Sequence, residues 1–168
     1  SGQGWLIAEP GFYTIQTACH VDGAVVVSNP LRIFVGTPND RLEEDLAPEY
    51  FVEDVARVLA FQGAPDLAGA QATLEEIATR LPGTPAATHA TIALAKPQTR
   101  DFKRLETGGG RGDMAITTTS ANVQQAIDRV LPVLVDSAEA AADTLGHIDY
   151  RRTVETFSVA IADAGNTG

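Results

Sequence analysis

Most of the devices that hold or equip small proteins are scarce in this 168-residue chain. It has one cysteine, Cys19, so an internal disulfide is excluded and a small buried thiol is the expected role. No apolar run approaches the ~20 residues that span a bilayer, so membrane insertion is not expected. The N-terminus shows no basic segment followed by an apolar run, so no signal peptide is expected. Lysine occurs only at Lys96 and Lys103, and the formal net charge is −10. Affinity for a phosphate backbone comes largely from clustered lysine and arginine. Here the densest basic groups, Arg100, Lys103, Arg104 and Arg151-Arg152, are interrupted by Asp101, Glu106, Asp149 and Glu155, so a solvated surface is expected and nucleic acid is not.

Catalytic signatures are equally thin. There is no His-Glu-x-x-His, no Gly-x-Ser-x-Gly elbow, and no Gly-Lys-Ser/Thr ending to the glycine-rich run Gly108 to Gly112. Cys19 and His20 are adjacent, and adjacent strand residues point to opposite faces, which argues against a nucleophile and base pair. No cofactor is expected.

What is present is a hydrophobic content of 44%, enough for one real core. From Phe12 the chain alternates, with Tyr13, Ile15, Thr17 and Cys19 on one face, the two-residue period of a strand. Asp22-Gly23 supplies a tight turn, because both tolerate positive φ. Ala24 to Val27 and then Leu31, Ile33 and Val35 return, with a break at Ser28, Asn29 and Pro30.

Glu9-x-Gly11-x-Tyr13 at the start of this hairpin resembles the tyrosine-corner segment of immunoglobulin-like sandwich domains, over about residues 5–36. The resemblance implies that the hairpin is the last strand pair of a sandwich, and that the Tyr13 hydroxyl bonds back to the backbone at the corner. Ile15 stands where antibody-type domains carry cysteine, so their disulfide is not implied. A sandwich needs about seven strands, so the other strands are expected in a longer parent or in another chain. The apolar face of Tyr13, Ile15 and Val35 and the strand edges should then be open.

After Gly36-Thr37-Pro38 the period becomes helical, which divides the chain into a β-hairpin domain, 1–37, and a helical bundle domain, 38–168. Asn39 or Asp40 should cap a short acidic turn through Leu46, with Pro48 resetting the chain. A helix follows from about Glu49 to Gln62, ended by Gly63. Leu67, Ala70, Leu74, Ile77 and Leu81 mark the next, stopped by Pro82-Gly83. An alanine-rich helix runs from about Pro85 to Lys96, and Gln98 to Leu105 continues as a kinked or separate turn. Thr107 to Thr119 reads as a mobile loop. Ser120 should cap a long helix, kinked by Pro132 and broken by Gly146, and a last helix carries Tyr150, Val154, Phe157 and Ile161. The expected class is mostly α: a hairpin followed by four to five helices in antiparallel pairs.

Three residues are candidates for chemistry. His147 and Asp149 lie beside Tyr150 at a helix start, and His89 sits among the alanines of the third helix. Two ligand types at a spacing of two do not complete a metal site, so helix capping by His147 and Asp149 and interface packing of His89 are the expected roles. Arg111, Gly112 and Asp113 form a candidate interaction loop, the tripeptide that integrins read, in a glycine-rich setting where chance also produces it. The expectation is a non-enzymatic structural or protein-interaction module, the C-terminal fragment of a larger multidomain protein. Its alanine-rich, lysine-poor composition has a bacterial cast, and an extracytoplasmic location suits modules of this kind. Its partner would be another protein or the rest of the parent chain, with homo-oligomer formation through the open hairpin edge as a further route. The alternative is a hydrolase or metalloenzyme fragment whose active site is completed elsewhere.

Overall fold

The computed structural model describes residues 5–7, 9–61, 63, 64, 66–107 and 114–166. The protein is mostly α, with three small antiparallel strand pairs.

Strand β1, Gly11–Ile15, pairs with β4, Leu31–Val35; between them β2, Ala18–Val21, pairs with β3, Ala24–Val27. These are the two halves of one interrupted hairpin. At its tip Asp22 and Gly23 both take positive φ, 48° and 84°, the primed geometry that matches strand twist. The break expected at Ser28 to Pro30 is joined by a second one, at Gln16 and Thr17. Ser28 stitches the two together. Its amide donates to the Thr17 carbonyl at 2.8 Å, and its Oγ accepts from the Thr17 amide at 3.0 Å. The alternation expected to run unbroken from Tyr13 to Cys19 is therefore cut in the middle.

The helical region opens with α1, Arg41–Tyr50, whose first turn is capped by the Asp40 carboxylate accepting from the Glu43 amide at 2.9 Å. Pro48 does not reset the chain but lies inside α1. Only the bond to the fourth residue before it is lost, and Leu42, Leu46 and Tyr50 hold the helix on the core. The helix expected from Glu49 to Gln62 is consequently shorter: α2 spans Glu53–Ala60 after a break at Phe51 and Val52. Next come α3, Ala68–Arg80, and α4, Pro85–Ala95, the latter capped by Thr84 and extended by a single 3-10 turn, Lys96–Thr99.

The stretch from Phe102 to Thr119 corrects two expectations. Phe102 to Leu105 form no helical turn and Met114 to Thr119 no loop: β5, Phe102–Thr107, pairs with β6, Met114–Thr119, and residues 108–113 lie outside the described residues. The β-branched run Ile116 to Thr119 carries the strand preference. Asn122, not Ser120, then caps α5, Val123–Leu134, accepting from the Gln125 amide at 3.1 Å. Instead of one helix to Leu145, the chain turns at Val135 to Ser137 and starts α6, Ala138–Asn166. Gly146 interrupts α6 with φ 72° and ψ 148°, as its position in the pattern predicted.

The core falls in two clusters that share α4. Leu46, Val55, Val58, Leu74, Ile77 and Leu94 make one, and Ile92, Ala126, Val130, Leu134 and Phe157 the other. Helix α4 is buried at every residue from Thr88 to Ala95 except His89. A helix with no polar face has to be central, and alanine lets two layers approach it closely.

Candidate functional site

The hairpin β1 to β4 carries the most exposed apolar surface among the described residues. Phe12 and Phe34 stand opposite each other on one face, ring centroids 4.7 Å apart, and are 87% and 64% exposed. On the other face, Ile15 and Leu31 are also exposed, while Tyr13, Ile33 and Val35 are half-buried. Beyond the break Val21, Val25, Val26 and Val27 are all about half accessible or more. Each strand has a single ladder partner among the described residues, which leaves both outer edges of the hairpin unpaired. The base is pinned from within: the Tyr13 hydroxyl donates to the Glu9 carbonyl at 2.8 Å, closing the corner before β1.

A second anchor, invisible in the residue pattern, lies at the foot of this hairpin. The indole Nε1 of Trp5 donates to the Tyr50 carbonyl at 3.1 Å, and its ring packs against Tyr50 and Phe51 at 5.3 and 5.2 Å. The bond satisfies a carbonyl that the last turn of α1 leaves free. Beside it opens an apolar cavity of about 270 Å³, lined by Leu46, Tyr50, Phe51, Ile77, Leu81 and Pro85 among others. Burial raises the pKa of Tyr50 above its usual value.

The residues singled out for chemistry are scattered. His147 and Asp149 are exposed just after Gly146. Asp149 pairs with Arg152 at 3.5 Å, and His147 lines a shallow depression with Ile148, Arg151, Arg152 and Glu155 whose lining includes neither Asp149 nor His89. Tyr150, half-buried, turns inward and donates to the Leu134 carbonyl at 2.7 Å, closing the end of α5. His89 lies on α4; the residue keeps an exposed surface, yet desolvation of the buried part of its ring lowers its pKa. Among the described residues no group of three His, Cys, Asp or Glu side chains is placed to hold a metal. Cys19 is exposed on β2, not a buried thiol as expected, because none of the described residues packs over the hairpin face it occupies. Arg111, Gly112 and Asp113 lie outside the described residues.

Sequence reasoning missed Trp5 and the ion pair between Arg129 and Glu75, which joins α5 to α3 through both terminal nitrogens at 2.8 and 2.7 Å. A lone tryptophan next to a Gly-rich start carries no periodic signal, and a pair 54 positions apart carries none either. No family model, curated protein or solved structure matches this chain significantly.

Proposed function

We propose that this chain is a non-enzymatic structural or protein-interaction module. In this reading β1 to β4 is the terminal strand pair of an immunoglobulin-like sandwich, joined directly to a helical bundle within a larger multidomain protein. The observation that carries it is the apolar surface of the hairpin, displayed on both faces between two open edges. An isolated two-stranded hairpin is marginal in water, and exposed apolar patches of this kind mark interaction surfaces. Further strands, from the parent chain or from a partner, would bury Phe12, Phe34 and Leu31 and pair the edges. The corner bond from Tyr13 to Glu9 supports the same origin, because it is the bond the resemblance assigns to that tyrosine.

The test compares hydrogen exchange of the hairpin amides in this chain alone and in the longer native protein, with light scattering on the chain alone. The expected outcome is weak protection and concentration-dependent association in isolation, relieved by Phe12→Ser with Phe34→Ser, and strong protection in the parent. A monomer whose hairpin amides are as protected as those of α4 would overturn the proposal.

A further inference from the structure

Independently of the hairpin, a cleft of about 300 Å³ lies where α4, α5 and the start of α6 meet. Its wall from α4 carries Ala87, Thr88 and Thr91, its wall from α5 carries Arg129, Pro132 and Val133, and Ser137 of the turn and Ala140 of α6 close it. Thr88 and Thr91 are one turn apart, hence on one helix face, and are 8% and 7% exposed, the two buried polar residues of the described core. Arg129 spends both terminal nitrogens on Glu75. Its Nε–H is buried and has no acceptor among the described residues. A buried donor left without an acceptor is destabilising, so a place for an acceptor oxygen lies beside it.

We infer that this cleft binds a small molecule with an uncharged carbonyl or carboxamide oxygen at one end and a short apolar body at the other. The polar end follows from the donors: a guanidinium N–H can only donate, and threonine and serine hydroxyls can donate beside it. The absence of charge follows from Glu75, which already neutralises Arg129, and from the net charge of −10, which disfavours an anion. The apolar body follows from Ala87, Pro132, Val133 and Ala140. A volume of about 300 Å³ is at the small end of ligand sites, suited to a molecule the size of benzamide.

The experiment is a titration of the protein with benzamide, followed through the Arg129 Nε–H resonance in nitrogen-resolved NMR. The resonance should shift saturably, with Kd on the order of 1 mM. Thr88→Val with Thr91→Val should weaken binding about tenfold while helical circular dichroism is unchanged. Ala140→Leu, which fills the cleft from its exposed rim, should abolish the shift and leave the pair with Glu75 intact. An Arg129 resonance that stays fixed up to the solubility of benzamide, or that moves equally in Ala140→Leu, would overturn the site. Tighter binding of benzoate than of benzamide would overturn the uncharged ligand.

Discussion

Arg129 on α5 grips Glu75 on α3 as a two-point fork, with nitrogen to oxygen distances of 2.8 and 2.7 Å. The Arg129 side chain is 22% exposed and Glu75 48%, so water screens the pair from one side. A double-mutant cycle with Arg129→Ala and Glu75→Ala should give a coupling of about 0.5 to 1 kcal/mol, the upper part of the range for exposed pairs because the geometry is bidentate. Urea denaturation of the four variants measures it, and a coupling within error of zero would make the fork incidental.

The bond from Tyr13 to Glu9 is local, and so should be its loss. Tyr13→Phe removes one exposed hydrogen bond, about 0.5 to 1 kcal/mol. Hydrogen exchange along β1 and β4 should accelerate, while the thermal midpoint of the helical region stays put. A drop in that midpoint would show that the hairpin and the helices unfold as one unit.

Two glycines should respond to alanine with opposite signs. Gly63 has φ 118°, and a Cβ there would lie 2.0 Å from Cγ of Pro97. Gly63→Ala should cost more than about 1 kcal/mol through strain and displacement of the proline. Gly69 sits inside α3, where an added Cβ would meet nothing within 4 Å. Gly69→Ala should stabilise by about 0.5 to 1 kcal/mol. Thermal melts of the two variants decide both.

Burial lowers the folded pKa of His89 below its ordinary 6.5. Between the two values the unfolded chain binds the extra proton, so stability rises with pH through that window and is flat above about 6.5. Acidification from about pH 7 should therefore destabilise the protein in part through His89. His89→Gln should flatten that limb of the pH profile of urea midpoints, and an unchanged slope would assign it to other groups.

Leu74 is fully buried in the core cluster that α1, α2 and α4 share with α3. Leu74→Ala should cost about 2 to 5 kcal/mol, by denaturant unfolding. A smaller loss would mean that the surrounding helices collapse into the space.

Much of this architecture is written locally. The Asp22-Gly23 turn, the cap at Asp40, the stop at Gly83, the proline start of α4 and the interruption at Gly146 all depend on the φ preferences or hydrogen-bonding groups of single residues, and those act within a few positions. The same locality explains the failures. Pro48 is a breaker by preference, yet it lies inside α1, because Leu46 and Tyr50 are held on a core that propensity does not see. The strands Phe102–Thr107 and Met114–Thr119 flank a glycine-rich tract that masks them, and each is defined by pairing with the other.

That the chain is acidic, mostly helical and free of an internal disulfide, with a β-hairpin ahead of helices that begin near residue 40, is legible in the order of its residues. Composition and short-range stereochemistry suffice for that. Folding in three dimensions is what makes α4 the shared centre of two cores, docks Trp5 on the end of α1, brings Arg129 to Glu75 and leaves both faces of the hairpin displayed. Those facts concern residues far apart in the chain, and burial and pairing between such residues are properties of packing that no local pattern encodes.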